Sequence, residues 1–298
     1  MLQDSPGNII LFAPTQHTMC YSLSQLIGAE IGEIEHRQFP DGESYLRVLN
    51  NVNGKKCVIL MDLANPDPKY LPLIFISNTL RELGAESVGL VAPYLSYMRQ
   101  DKRFNDGEVV SSRIFAKALS YHIDWLVTVD PHLHRYDSLD EIYNIPTVVV
   151  QAAPAIAEWL KQQENSLLVG PDSESEQWVS EIAKIAGHPF IIGSKERAGD
   201  RQVDISFDGI EDKMDSKVVI IDDVIASGHT ILQCVNELKK MGVKQLSCAT
   251  VHGIFAEDAD SMLIVSGLSE LVTCNTVAHH SNNIDVSGLI ADAVFQCI

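Results

Sequence analysis

Eight short runs of continuous apolar residues recur along the chain: Ile9 to Phe12, Cys57 to Met61, Ser87 to Val91, Leu126 to Val129, Thr147 to Val150, Leu167 to Val169, Val218 to Ile221 and Cys248 to Val251. Between them the apolar residues return at helical spacing. A strand that is apolar at every position is covered on both faces, and helices crossing over between parallel strands supply that cover. The sequence therefore predicts an α/β protein of mainly parallel sheets flanked by helices. With 298 residues and 46% hydrophobic content, the chain can fill one large core or two ordinary ones.

An internal echo favours two. Val58 to Tyr94 runs VILMD, a mixed helix, then LGAESVGLVAPY, and Val218 to Gly253 runs VVIIDD, a similar helix, then MGVKQLSCATVHG. This reading sets Asp62 against Asp222. A second echo pairs LFAPT at Leu11 with LLVGPDS at Leu167. Two similar domains that arose by duplication are expected, 1–148 and 149–298, split near Val148 to Gln151 with no flexible linker. The last helix, Ser287 to Cys297, has an apolar face that the sequence assigns to neither domain.

The stretch Lys217 to Thr230, KVVIIDDVIASGHT, carries the clearest chemistry. A buried strand ends in Asp222 and Asp223, a loop from Val224 to His229 contains Gly228, and Thr230 caps a helix that Gly242 closes. Such a junction presents backbone N–H groups and the positive end of a helix dipole to a phosphate, while two carboxylates can take sugar hydroxyls or a divalent cation. A phosphorylated sugar fits that chemistry. An isolated Asp-Asp would merely begin a turn; the combination of strand, acid pair, Gly loop, Thr and helix favours the functional reading. In the first half, Pro66 and Pro68 follow Asp62 where a Gly-Thr helix start would be needed, so the phosphate chemistry is expected only in the second copy.

Other stretches are weaker alone. Phe39-Pro40-Asp41-Gly42-Glu43 could stack on a base and accept from its amine, or be an ordinary turn. In PYLSYMRQDKR, Pro93 to Arg103, basic residues just past a strand end suit a polyphosphate, with Arg99 able to make forked contacts, and Asn105 to Gly107 mark a mobile loop. Asp130 and His132 follow a strand and could meet a metal directly or through water, though His-x-His is more often structural. Asp172, in GPDSESEQ, repeats the strand-end acid, and Glu174 and Glu176 fit a first helical turn. Lys195 and Arg197 alternate in SKERAGDR, so on an extended segment both point one way, toward a transferring phosphoryl group. Neither G-x-x-x-x-G-K-[ST] nor G-x-G-x-x-G occurs.

A formal charge of −18 argues against nucleic acid and anionic membrane surfaces as partners, but a small anion needs only local compensation. No run approaches the ~18 apolar residues of a membrane helix. The six cysteines are scattered without a C-x-x-C pair, which suits a reduced, cytoplasmic setting.

In order, FPDGE, PYLSYMRQDKR, VDPH, GPD, KER, IIDDVIASGHT and the final NTVAHHSNNIDVSGLIADAV resemble the ribose-phosphate pyrophosphokinase family nearly end to end. The resemblance implies two phosphoribosyltransferase-like domains, an ATP side at 1–148 and a ribose-5-phosphate side at 149–298. It implies magnesium-dependent transfer of the diphosphoryl group of ATP to the 1-hydroxyl of ribose 5-phosphate. Phe39, Asp41 and Glu43 would contact adenine from a neighbouring subunit of a homo-oligomer, a dimer or multiple of dimers. Arg99, Gln100 and His132 would hold ATP, with Asp130, His132 and Asp172 at the metal. Asp172, Asp222 and Asp223 would hold ribose hydroxyls, and Ala226, Ser227, Gly228, His229 and Thr230 the 5-phosphate. Lys195 and Arg197 would stabilise the transition state. Ala226 and Ser227 stand where the family pattern has Asp and Thr, which removes one carboxylate contact and keeps a hydroxyl. An alternative is a weakly active member that binds the sugar phosphate and regulates a partner enzyme. A base phosphoribosyltransferase would leave the N-terminal copy unexplained.

Overall fold

The computed structural model describes residues 7–133, 135–163, 166–197, 203–207, 209–210 and 216–298, with 195–197 and 203–205 described by backbone alone. The chain divides into two compact units, residues 1–151 with 287–298, and 152–286.

The first unit is built on six parallel strands: β1 (Ile9–Phe12), β2 (Glu30–Ile31), β5 (Lys56–Leu60), β6 (Ser87–Ala92), β7 (Trp125–Val129) and β8 (Thr147–Val150), in spatial order β2-β1-β5-β6-β7-β8. An antiparallel hairpin, β3 (Ile34–Gln38) and β4 (Ser44–Val48), interrupts the sequence between β2 and β5. Strand residues alternate between two buried faces. Ile10, Phe12, Cys57, Ile59, Val88 and Leu90 join the core with Leu73, Ile76 and Leu80 of α2 (Asp67–Glu82) and Phe115, Ala116 and Leu119 of α3 (Ser111–His122). The intervening Leu11, Val58, Leu60 and Val127 are equally buried. The helices α1 (Cys20–Ile27) and α8 (Ser287–Phe295) pack together, and the Ser22 and Ser287 hydroxyls meet at 2.9 Å. The last helix thus groups with the first unit.

The second unit repeats the plan. Its parallel strands β9 (Ser166–Gly170), β10 (Phe190–Ile192), β13 (Lys217–Ile225), β14 (Gln245–Gly253), β15 (Glu270–Cys274) and β16 (Asn282–Ile284) run in order β10-β9-β13-β14-β15-β16, with the hairpin β11 (Ser194–Arg197) and β12 (Val203–Ser206) in the equivalent place. One face packs on α6 (His229–Lys240) and α7 (Ala259–Ser266), which add Ile231, Val235, Leu238 and Leu263 to the core. Buried Ile156, Ala157 and Leu160 of α4 (Ala153–Lys161) and Val179 and Ile182 of α5 (Glu176–Ala186) belong to the second pair of helices.

The strand register corrects one expectation. Lys56 pairs with Ser87 and Leu60 with Val91, as Lys217 pairs with Gln245 and Ile221 with Ala249. Leu60 therefore corresponds to Ile221, and Asp62 to Asp223 instead of Asp222. A slip of one residue reverses the face a side chain occupies, so the distinction is physical.

Candidate functional site

The acid-bearing strand of the second unit is longer than its apolar run suggested. β13 continues through both carboxylates to Ile225, because its neighbour β14 keeps pairing to Gly253. The connecting loop shrinks to Ala226, Ser227 and Gly228. It is pinned by N–H donation from Ile254 to the Ile225 carbonyl at 2.9 Å and from Ala256 to the Ala226 carbonyl at 2.9 Å. Gly228, not Thr230, is the helix cap, and Thr230 lies in the first turn of α6. Gly228 has φ 73°, a backbone that favours glycine, and a Cβ there would stand 3.1 Å from Met262 Cε and 3.3 Å from Ala259 Cβ, so those side chains would have to give way as well. Ser227, His229 and Thr230 are exposed, with Ser227 Oγ 2.9 Å from His229 Nδ1. No side chain caps the helix, so the first-turn N–H groups of α6 face outward as a ready anion seat.

Beside that seat stands a carboxylate cluster. Asp172 follows β9, the strand adjacent to β13, and starts a 3₁₀ turn at Ser173–Ser175, its Oδ1 accepting from the Glu174 N–H at 3.1 Å. Asp222 Oδ1 accepts from the Asp223 N–H at 3.0 Å. Burial first, then the neighbouring charges of Asp223 and Asp172, push the Asp222 carboxyl well above the usual carboxylate range. The structure thus brings together Asp172, Asp222 and Asp223. Glu176 opens α5 as a first-turn acid, as its sequence position suggests.

Lys195 and Arg197 fall two residues apart on β11, opposite Ile205 and Val203 of β12. Their side chains, and the hairpin tip that follows, lie outside the described residues.

In the first unit, β6 and β7 end in linked loops. Arg99 is exposed and Gln100 half-buried. Gln100 accepts from the Ser111 hydroxyl through Oε1 at 3.2 Å. Buried Asp101 accepts from Arg135 Nη1 at 2.8 and 2.9 Å, and its carbonyl from the Tyr136 hydroxyl at 3.1 Å, so the two loops are clamped together. The loop marked by Asn105 to Gly107 closes on itself: Glu108 accepts from the N–H groups of Phe104 and Asn105 and from the Asn105 amide, bonds that hold its carboxyl below its ordinary pKa. Asp130 and His132 have φ of 34° and 56°, a strained backbone just past β7. Phe39, Asp41 and Glu43 sit at the tip of the β3–β4 hairpin. There Phe39 meets Tyr45 edge-on at 6.1 Å, and the Arg37 guanidinium lies 4.6 Å from the Phe39 ring and 4.2 Å from that of Tyr45.

Sequence reasoning missed Arg37, Asp101, Arg135 and Tyr136; an aromatic-cation alternation along a hairpin and an Asp and an Arg each just past a strand end were the available signals. It read the prolines that follow Asp62 but missed the lysine that engages this strand-end acid and the acid in the next helical turn. Buried Asp62 receives Lys69 Nζ at 2.7 Å, and α2 begins with Pro66 as cap, Asp67 in its first turn and Pro68 beside it, a start that offers a phosphate fewer N–H groups and an opposing charge.

Family models match both halves. The N-terminal domain of ribose phosphate pyrophosphokinase matches residues 9–122, and the phosphoribosyl transferase domain matches residues 138–286. Ribose-phosphate pyrophosphokinase of Methanobrevibacter smithii is 33% identical over 294 residues, 92% of this chain and 98% of its own length. That of Methanothermobacter thermautotrophicus is 29% identical over 287 residues, 96% of this chain and 99% of its own. The crystal structure of phosphoribosylpyrophosphate synthetase from Mycobacterium smegmatis has the same fold, with a TM-score of 0.83 over 98% of this chain and 100% of its own at 23% identity.

Proposed function

The chain belongs to the ribose-phosphate pyrophosphokinase family, and on that premise we propose that it transfers the diphosphoryl group of ATP to the 1-hydroxyl of ribose 5-phosphate, giving phosphoribosyl pyrophosphate and AMP. The observation that carries the reading is the junction after β13, where an uncapped helix start adjoins a carboxylate pair on the strand that feeds it. In this reading Ser227, Gly228, His229 and Thr230 hold the 5-phosphate through backbone N–H groups and hydroxyls. Asp222 and Asp223, with Asp172, take the ribose hydroxyls. The 149–298 side supplies the acceptor; the 1–148 side, apart from the last helix that groups with it, supplies ATP through Arg99, Gln100 and His132.

Three carboxyls gathered at adjacent strand ends, one of them pushed toward protonation, are the donor set a hard divalent ion takes. Asp172, with Asp222 and Asp223 beside it, would hold magnesium in the second unit, and the resemblance makes Asp130 and His132 metal ligands of the first. When bound it would neutralise phosphate charge. The protein's own part is positioning and charge: the acceptor hydroxyl attacks in line, no covalent nucleophile is needed, and Lys195 and Arg197 would meet the charge on the transferring group. Ala226 contributes its backbone alone, one carboxylate fewer than the family pattern.

The resemblance also implies an oligomer, a dimer or multiple of dimers, in which exposed Phe39 and Arg37 with half-buried Tyr45 would offer an adenine surface to a neighbouring subunit. A cytoplasmic setting fits a protein in which, among the described residues, no helix is long and apolar enough to cross a membrane.

AMP release from ATP, measured with and without ribose 5-phosphate at saturating magnesium, tests the reading. Ribose-dependent AMP is expected, and Lys195→Ala should lower its rate about 10²–10³-fold, the scale for one charge donor at a transition state. Absence of ribose-dependent AMP at high enzyme would remove the reading. An unchanged rate in the Lys195 variant would remove that residue's role.

A further inference from the structure

A second cluster of ligand atoms contains none of the residues proposed for the diphosphoryl transfer. Asp260, in the first turn of α7, faces His279 and His280 of the β15–β16 connection, and one ligand atom from each falls within 4.8 Å of the other two. Asp260 Oδ2 is 3.5 Å from His279 Nε2 and 3.8 Å from His280 Nε2. Those gaps are long for hydrogen bonds, which close to about 2.7–3.2 Å. They approach the roughly 3.4 Å separating neighbouring ligands that each stand about 2.0–2.2 Å from a tetrahedral ion.

The surroundings hold the donors in place. Ser281 holds the His279 ring from both sides of its residue, its backbone N–H donating to Nδ1 at 3.3 Å and its Oγ lying 2.7 Å from the same atom; an ion taken by Nε2 would move the ring proton to Nδ1, where the Ser281 hydroxyl can accept it. The His279 ring also packs on Phe255 at 4.6 Å, and its backbone N–H donates to Asn282 Oδ1 at 2.9 Å. The Asn282 amide in turn donates to Thr273 Oγ1, the Cys274 carbonyl and the Val277 carbonyl, which fixes the loop carrying both imidazoles. The side chains of Asp260 and His279 are 16% and 21% exposed, and that of His280 is 78% exposed, an inner pair with one outer ligand open to solvent.

We propose that Asp260, His279 and His280 form a binding site for a zinc-class divalent transition-metal ion, with a water or an external ligand in the fourth position. Two imidazole nitrogens beside a single carboxylate suit such an ion and not magnesium or calcium, which prefer all-oxygen shells. The ion ties the β15–β16 connection to the first turn of α7, whose Ala259 and Met262 are the neighbours a side chain at Gly228 would meet.

The test is cobalt binding to the full-length protein in excess magnesium, read by visible d–d absorption and stoichiometry. One magnesium-resistant cobalt per chain is expected, displaced by zinc. His280→Gln, at an exposed position that leaves the fold intact, and Asp260→Asn should each weaken it at least tenfold, and Ser281→Ala about 10–100-fold through the freed imidazole. Ribose-dependent AMP release without cobalt should be unchanged in His280→Gln, which separates this site from the proposed reaction. If no magnesium-resistant cobalt binds, or if His280→Gln and Asp260→Asn bind it like the parent, the cluster is a His–Asp ion pair and the proposal fails.

Discussion

Asp222 shows how a residue proposed to bind substrate can burden the fold that presents it. Its carboxyl is pushed up by burial and by Asp223 and Asp172, so between its unfolded value, about 3.9, and its higher folded value the native state holds a proton that the unfolded chain has released. Stability therefore falls as pH rises through that window. Asp222→Asn should raise the melting temperature of the magnesium-free protein at neutral pH, and the gain should vanish as pH falls to about 4. The same change should weaken magnesium-dependent stabilisation. A variant less stable than the parent at neutral pH would contradict the burial argument. Gly228 makes a complementary case: Gly228→Ala adds a side chain at positive φ against Ala259 and Met262, and should cost about 1–2 kcal/mol of stability with a raised KM for ribose 5-phosphate. Both residues were legible in the sequence, because an acid pair and a glycine between strand and helix have few other uses. The raised pKa of Asp222 was not, since it depends first on burial, then on Asp223, and on Asp172, fifty positions away in the chain just past a neighbouring strand.

Loops at the carboxyl ends of the sheet strands carry every described non-glycine residue at positive φ: Asn65 after β5, Tyr97 after β6, Asp130 and His132 after β7, and Phe255, Glu257 and Asp258 after β14. Parallel sheets bind ligands at that edge, and strained backbone is kept there because the surrounding contacts hold it. The Arg135–Asp101 pair is one such contact. Arg135→Ala leaves a buried carboxylate without its cation, and should cost about 1–3 kcal/mol, below the figure for a fully buried pair because Arg135 is half-exposed. Thermal unfolding gives the stability loss, and a raised KM for ATP would report release of the Arg99–Gln100 loop; unchanged values for both would show the clamp to be idle. The eight apolar runs became β1, β5, β6, β7, β8, β9, β13 and β14 because strands buried on both faces write an unbroken signature. β15 and β16 escaped detection, being short or mixed in composition, and β13 outran its apolar run because pairing with β14 continued past the charges. The first hairpin was read as a turn, since Phe39 to Glu43 encodes a tip without showing which flanking segments pair, whereas the alternation of Lys195 and Arg197 already marked β11 as extended.

At the scale of the whole molecule, the two sheets share one strand order and an inserted hairpin, the pattern a duplication would leave, and differ at their strand ends. One copy neutralises its strand-end acid with Lys69 and starts the next helix with prolines; the other leaves its acids together at a bare helix start. That divergence is the ground on which the acceptor is proposed to sit in the second unit. The grouping of the last helix with the first unit lay beyond sequence reading, because an amphipathic face does not name its partner. The reaction itself is tested most directly by ³¹P NMR of the products from ATP and ribose 5-phosphate. Transfer of the diphosphoryl group predicts AMP and a sugar bearing both a 5-phosphate and a 1-diphosphate in equal amounts. ADP with a sugar bisphosphate, or AMP and free pyrophosphate formed without the sugar, would contradict it.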